Sequence, residues 1–488
     1  MSHGPVPTAA QPDSGHLERY RTGRVVRFAA VAAIGGFLFG FDSAVINGAS
    51  SAIKSTFGLN NFWLGFVVAI ALVGSAIGAW FSGALATRFG RKPVMMVAAS
   101  LFLIAAIGQA FPFSIVDLCF WRLIGGAGIG MASVMAPMYI AEIAPSHLRG
   151  RLGSLQQFAI VIGIFTTGLT NYIILQAAGG DSRNEWIWGL PAWRWMFLTM
   201  VAPAIIYFVL AMRLPESPRY LVEAGRVKEA AGVLQRIYLD DVAPKIADIA
   251  RSIGGEHRSR FSDLRGSRFG LMPIVWIGII LAALQQFVGI NAVFYYSNTI
   301  WESVGFSQDQ AFQTSLITTG INVLFTIVAI ALVDKVGRKP LLIVGSCGMI
   351  ITLATLTYIF GTAPINAAGN PVLANGPDIA AVIAFNAYVA FFAATWGPIA
   401  WVLLGEMFPN RIRATALALA ATGQWVANFV VTTTFPSLSA VSLGLAYSIF
   451  TIFAIASIPF VLRKINETKG VELEDMPGLQ EKQSAPAL

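Results

Sequence analysis

Two charged residues stand where charge is costly. Asp42 closes the run Gly35-Gly-Phe-Leu-Phe-Gly-Phe-Asp42, and Arg122 sits in Cys119-Phe-Trp-Arg122-Leu-Ile-Gly-Gly, each inside an otherwise apolar stretch. At bilayer depth such a group costs at least ~2.5–3.5 kcal/mol, so each needs a partner. A carboxylate facing a guanidinium satisfies both and leaves an acid that can take up and release a proton. Two blander readings stand beside this one: a static structural ion pair, and an arginine that snorkels to the interface. Around Asp42 the small residues Gly35, Gly36 and Gly40 admit a close helix neighbour.

A second set is neutral. Gln157, Gln285, Gln286, Asn291, Asn322, Gln424 and Asn428 lie in other apolar stretches. Carboxamides both donate and accept, which suits a ligand rich in hydroxyl groups. Gln424 and Asn428, four apart, share a helix face. Gln285 and Asn291, six apart, diverge by about 120° on a straight helix. Gly289 between them is a place where the helix can break and turn both towards one cavity. Phe39, Trp401 and Trp425 offer rings to stack on the apolar face of a sugar. Singly, each amide reads as interhelical glue and each tryptophan as packing or an interface anchor. As a cluster they read as a polyol site.

These residues need elements to hold them at depth. Only 12% of the 488 residues are charged, against roughly 25% in soluble chains, and mean hydropathy is +0.67. Too few charges exist to coat a soluble surface, so most apolar side chains must face lipid or one another. The net charge of +8 reads as membrane topology, and nucleic acid is not an expected partner. Apolar stretches of about 20 residues, each able to cross a bilayer, fall near 25–48, 62–86, 92–111, 115–141, 151–177 and 190–212. A second set falls near 271–300, 310–333, 339–361, 379–407, 412–435 and 442–463. The spacing predicts an all-α membrane protein: a tail over 1–24, a six-helix bundle over 25–212, a linker of short amphipathic helices over 213–270, a second six-helix bundle over 271–463 and a tail over 464–488.

The two halves echo each other. Arg88-Phe-Gly-Arg-Lys-Pro returns as Lys335-Val-Gly-Arg-Lys-Pro, and Glu142-x-x-Pro145-x-x-x-Arg149 returns as Glu406-x-x-Pro409-x-x-x-Arg413. Glu216-Ser217-x-Arg219 has a looser echo in Glu467-Thr468-Lys469. An ordered set of this kind implies a duplication with one functional centre between its halves. The basic residues of the short loops, Arg88 to Lys92, Arg149, Arg151, Lys335 to Lys339, Arg411 and Arg413, gather on one side. That side and both termini are expected in the cytoplasm. Cys119 and Cys347 lie in apolar stretches and the four histidines in tails or loops, so no disulfide, metal or cofactor is expected.

At these residues the chain resembles the sugar porter family of the major facilitator superfamily. The motifs that carry the resemblance are Arg88-Phe-Gly-Arg-Lys92, Pro137-Met-Tyr-Ile-Ala-Glu142, Pro215-Glu-Ser-Pro-Arg219 and Gln285-Gln-Phe-Val-Gly-Ile-Asn291-Ala-Val-Phe-Tyr-Tyr296. Asp334-Lys-Val-Gly-Arg-Lys339, Trp396-Gly-Pro-Ile-Ala-Trp401 and Glu467-Thr-Lys-Gly470 continue it. The resemblance implies twelve transmembrane helices in two pseudo-symmetric bundles, cytoplasmic intracellular helices, and a sugar held midway between the bundles. It assigns sugar contacts to Gln157, Gln285, Gln286, Asn291, Asn322 and Trp401, with Phe39, Gln424 and Trp425 lining the site. It gives Tyr295 and Tyr296 to an outer gate. Arg91, Glu142, Arg149, Asp334, Arg338, Glu406 and Arg413 become cytoplasmic salt bridges that hold an outward-open state.

Two positions depart from the family's pattern. Thr87 stands where many superfamily members have Asp, so the first loop is expected to lock less strongly than the second. Ile164 takes a sugar-facing position where the bacterial xylose symporter has Gln, as in glucose facilitators. At the position of Asp42 facilitators have Asn, whereas proton symporters have Asp paired with an Arg matching Arg122. The expectation is therefore proton-coupled import of a monosaccharide, glucose first, by a monomer in a bacterial inner membrane. Sugar, protons and lipid are its expected partners. A passive hexose facilitator and a pentose–proton symporter are the alternatives within the family. A non-transporting sugar sensor and an enzyme are the alternatives outside it. The short tail after Glu467 weighs against the first of these, and the lack of a nucleophile–base pair in the spans against the second.

Overall fold

The structure is a computed structural model in which residues 19–145, 148–255, 261–266, 270–365, 372–373, 376–409 and 412–468 are described. The terminal tails beyond residues 19 and 468 lie outside these residues. The first half contributes α1 (Thr22–Thr56), α2 (Asn61–Phe89), α3 (Arg91–Ala110), α4 (Ile115–Ile143) and α5 (Arg149–Ala177). Its sixth span is a pair, α6 (Ala192–Leu198) and α7 (Val201–Arg213). Short helices α8 (Pro218–Glu223), α9 (Val227–Ile237) and α10 (Ala243–Gly255) follow, then a 3-10 turn at Phe261–Leu264. The second half contributes the pair α11 (Pro273–Phe287) and α12 (Ile290–Ser303), then α13 (Gln308–Val336) and α14 (Arg338–Gly361). The pair α15 (Pro377–Ala394) and α16 (Trp396–Met407), α17 (Arg413–Val441) and α18 (Leu443–Lys464) complete it. Among the described residues twelve spans are long and apolar enough to cross a membrane, and as helices they satisfy their own backbone groups there.

Within the first half α1 packs on α5, and α4 on α2 and α3; within the second, α14 packs on α18 and α15, and α11 on α17. Three seams join the halves: α1 with α12, α2 with α17, and α5 with α13. Small residues let backbones approach at such contacts; a Cβ on Gly40 would lie 1.9 Å from the Ile160 carbonyl oxygen. The loops at Gly90 and Gly337 mark one end of the molecule, the basic end. The α1 terminus at Thr56 and the α12 terminus at Ser303 mark the far end. The larger buried core runs unbroken from the second half into the far end of the first, where Ile46, Ile53, Ile174 and Trp193 join Tyr296, Trp301 and Phe435.

Helix α1 runs to Thr56, eight residues past the expected limit of 48. The break between α11 and α12 falls at Gly289, whose φ of 89° is a left-handed conformation open to glycine. The break between α15 and α16, at Thr395, was not expected from the apolar run. Pro398 lacks the N–H that would bond the Ala394 carbonyl, so the helix ends there and restarts. In the linker, Ala230, Val233, Leu234 and Ile237 form the buried face of α9 and join the core of the first half. The chain just before α1 pairs with the end of this helix, Arg21 N donating to Ile237 O at 2.8 Å and Leu239 N to Arg19 O at 2.8 Å.

Candidate functional site

The duplicated motifs build the same corner twice. Gly90 has φ 100° and Gly337 φ 105°, a region that favours glycine. Each opens a helix whose first N–H groups are capped by a carboxylate from the end of its own half. Glu216 Oε1 accepts from Arg91 N at 2.9 Å, and Glu467 Oε1 from Arg338 N at 2.9 Å. A Cβ on Gly90 would lie 2.2 Å from Glu216 Oε2, and one on Gly337 2.7 Å from Glu467 Oε2. The glycine thus serves both the turn and the cap. Arg91 Nη2 meets Glu142 Oε1 at 2.7 Å, and Arg338 Nη2 meets Glu406 Oε1 at 2.8 Å. Arg413 Nε donates to the Phe408 carbonyl at 3.1 Å. The side chains of Arg149 and Asp334 lie outside the described residues.

The charged pair of the sequence meets at mid-helix. Asp42 on α1 is 0% exposed and Arg122 on α4 is 2% exposed, with Asp42 Oδ2 3.6 Å from Arg122 Nη1. A third residue joins them. Gln109, at the end of α3, donates from Nε2 to Asp42 Oδ1 at 3.4 Å and accepts on Oε1 from Arg122 Nη1 at 3.4 Å. Arg122 Nη2 donates to the Val68 carbonyl of α2 at 3.0 Å. Among the described residues Asp42 Oδ2 accepts no hydrogen bond. A small cavity beside it is lined by Phe39, Ser43, Leu72, Ser75 and, from the second half, Tyr295.

The neutral amides form a chain in the second half. Gln285 Nε2 donates to the carbonyls of Trp396 and Gly397 at 2.9 Å each, tying α11 to the break before α16. Gln424 Nε2 on α17 donates to Gln285 Oε1 at 3.0 Å. Gln286 Nε2 donates to the same oxygen at 3.4 Å, and Asn291 Nδ2, across the Gly289 break, donates to Gln286 Oε1. Trp425, next to Gln424, faces Phe39 of α1 with ring centroids 6.1 Å apart, bringing the two halves together at this depth. Gln157 is half-buried on α5, Asn322 is buried on α13, and Trp401 on α16 is 38% exposed. Ile164 lines a second cavity with Asn47, Asn171, Phe294, Ser297 and Thr319.

At the far end the halves are sealed by polar contacts. Asn47 Nδ2 donates to Ser297 Oγ at 2.8 Å, and Asn298 N donates to Asn47 Oδ1 at 3.1 Å. Ser50 and Thr299 hydroxyls lie 3.0 Å apart, and Ser51 Oγ donates to Glu302 Oε2 at 2.9 Å. Across the α5–α13 seam, Ser182 N donates to Gln308 Oε1 at 2.8 Å.

Two of the expected groups can be placed on this geometry. Tyr295 and Tyr296 were paired as gate residues, but adjacent residues on a helix point about 100° apart. Tyr295 lines the Asp42 cavity. Tyr296 turns into its own half, donating to the Thr432 carbonyl at 2.9 Å and stacking on Phe435. The Arg91–Glu142 and Arg338–Glu406 pairs were expected to hold an outward-open form. Each of these two pairs joins residues of one half, and both are formed here alongside the hydrogen bonds that close the far end. Sequence reading also passed over Gln109 and the Asn47 seal. A lone glutamine in Ala105-Ala-Ile-Gly-Gln109-Ala was the signal for the first.

The comparisons with known proteins bear on this arrangement. Residues 28–479 match the family described as sugar (and other) transporter. The chain belongs to the sugar transporter family. A glucose transport protein of Synechocystis is 52% identical over 453 residues, 93% of this chain and 97% of that one. The D-xylose-proton symporter of Escherichia coli is 37% identical over 497 residues, 95% of this chain and 97% of that one. The inward-open xylose transporter XylE of E. coli superposes with a TM-score of 0.78 at 35% identity, covering 93% of this chain and 99% of that one. XylE bound to 6-bromo-6-deoxy-D-glucose gives 0.76 at 36% identity, covering 94% and 99%. As a member of this family, with twelve spans, the chain is a multi-pass membrane protein.

Proposed function

We propose that this protein imports a monosaccharide, glucose foremost, together with a proton across a bacterial inner membrane by alternating access. One observation carries the coupling: a carboxylate fully buried in the first half, with one oxygen that accepts no hydrogen bond among the described residues, 3.6 Å from a buried guanidinium. The glucose assignment is supported by the similarity to a glucose transport protein and by Ile164, and the proton by the similarity to a xylose-proton symporter. The basic end faces the cytoplasm, by the Lys and Arg of its loops. The sealed far end is then the outer one, and the arrangement is an outer-closed member of the cycle.

In this account the amide chain Asn291–Gln286–Gln285–Gln424 offers donors and acceptors to sugar hydroxyls, with Gln157, Asn322 and Trp401 completing the site from neighbouring helices and Phe39 and Trp425 covering it. Helix α12 links three tasks. It carries Asn291 of the amide chain, Tyr295 of the Asp42 cavity, and Ser297 to Glu302 of the outer seal. Protonation of Asp42 removes the charge that faces Arg122, the cavity around Tyr295 relaxes, and α12 swings to admit sugar from outside. Loss of the proton to the cytoplasm restores the pair. A ligand shifts such an equilibrium only by binding one state better, and here proton and sugar both meet the same helix.

A potential of 100 mV supplies about 2.3 kcal/mol per charge and one pH unit about 1.4 kcal/mol. Together they sustain a sugar gradient of several hundredfold, at about 1.4 kcal/mol per tenfold. The test is glucose uptake into proteoliposomes with an imposed proton gradient. Accumulation above the outside concentration that collapses with a protonophore is expected; uptake that only equilibrates, with or without it, identifies a passive facilitator instead. The recovered sugar is expected to be chemically unaltered.

A further inference from the structure

Asp42 and Arg122 form an ion pair at 3.6 Å, and the hydrogen bonds between them run through Gln109. We infer that Gln109 is a positioning residue for proton coupling, holding carboxylate and guanidinium apart and joining them through its own amide, so that it sets the pH range in which the carrier couples. This rests on the proton-coupled reading above.

Three distances define the bridge: 3.4 Å from Gln109 Nε2 to Asp42 Oδ1, 3.4 Å from Arg122 Nη1 to Gln109 Oε1, and 3.6 Å between the charged groups themselves. The guanidinium is moored on its other side, by Nη2 to the Val68 carbonyl. Gln109 is fully buried, and an ionised carboxylate can only accept, so the amide must present its N–H to the acid and its oxygen to Arg122. The fold makes room for this. A Cβ on Gly125 of α4 would stand 3.0 Å from Gln109 Nε2 and 3.5 Å from Asp42 Oδ1, so this glycine leaves the seat in which the amide reaches the acid.

The neighbourhood holds few other groups that could set the pH response. From α12 come Tyr295, which lines the same cavity, and Tyr296; from α4 comes Cys119, on the turn before Arg122; α2 lines the cavity with Val68, Ala71, Leu72 and Ser75, none titratable. Helix α5 meets α1 there through Thr167, which donates to the Phe41 carbonyl. Among uncharged groups, Gln109 is thus the donor to Asp42. A donor bonded to an ionised carboxylate stabilises it more than the neutral acid. Removing that donor makes proton uptake easier and moves coupling to higher pH.

The experiment uses the full chain in proteoliposomes. In Gln109→Leu the pH of half-maximal proton-driven glucose uptake rises by about 0.5–1 unit, roughly a three- to tenfold change in proton affinity. In Gln109→Asn, whose amide is one methylene shorter, it rises by less. Glucose counterflow, which needs no net proton movement, keeps its half-saturating concentration. Infrared titration of the carboxyl band that vanishes in Asp42→Asn moves in the same direction, and reads the acid whether or not sugar accumulates. Gln109→Asn and Gly125→Ala keep the test open if the leucine variant does not fold. Uptake profiles and infrared titrations that coincide with the parent's, or move to lower pH, overturn the proposal. If the parent's own uptake ignores a protonophore, the proton-coupled reading falls, while the infrared titration still decides the role of Gln109.

Discussion

In the first half Glu216 caps α3 and Arg91 binds Glu142; in the second Glu467 caps α14 and Arg338 binds Glu406, with capping distances of 2.9 Å in both. At mid-membrane the same two halves diverge. The first places a carboxylate, a guanidinium and one bridging amide among Ala and Gly. The second places four carboxamides beside two helix breaks, with Gln285 bonded to the carbonyls of Trp396 and Gly397. The corners repeat one set of contacts in both halves. In the proposed mechanism the centres have separate tasks, charge in one and hydroxyl recognition in the other, and α12 is where they meet. A duplicated frame can thus be kept while its two middles specialise.

The sharpest way to break this division is Arg122→Leu. It leaves Asp42 buried without its counter-charge, a loss of about 3–5 kcal/mol, and thermal melting should drop while proton-driven accumulation disappears. Wild-type accumulation in this variant would show that charge in the first half does not drive transport. Next is Gln285→Leu, which removes the donor to the Trp396 and Gly397 carbonyls and the acceptor of Gln424 Nε2, at about 1–3 kcal/mol for a buried polar group left unpaired. The half-saturating glucose concentration should rise by about tenfold to a hundredfold with the pH profile unmoved. A shifted pH profile at unchanged affinity would erase the separation between the centres.

The corners should respond alike. Glu216→Gln and Glu467→Gln each replace a charged cap by a neutral one, and each should cost about 0.5–1.5 kcal/mol of stability; a clear inequality in melting would show that the repeats are not equivalent supports. The smallest effect is expected from Ile164→Gln, a preference of a few-fold towards xylose in competition uptake, within the about 1–3 kcal/mol that a single pocket group discriminates.

How far these features could be read in advance depended on how local they were. The Gly-Arg-Lys-Pro corners were legible because their residues act within one turn of each other, and the Gly289 break because a glycine lies between two amides that a straight helix would part. The break at Thr395 was hidden: its cause is Pro398, three residues further on, inside an unbroken apolar run. Gln109 was hidden for another reason. Its partners come from α1 and α4, and a lone amide near a span end is ordinarily glue between helices. The Asn47–Ser297 seal needs two halves to be docked before small hydroxyls, common in any span, acquire meaning. Tyr295 and Tyr296 were separable in principle by helical rotation alone, and the double-tyrosine motif drew attention away from it.

The claim on which the account stands is that Asp42 makes proton movement obligatory for uphill sugar uptake. Proteoliposomes of the parent and of Asp42→Asn, given the same inward proton gradient and labelled glucose, test it directly. The account predicts concentrative uptake in the parent only, with glucose exchange retained in both. Equal accumulation by Asp42→Asn would contradict it.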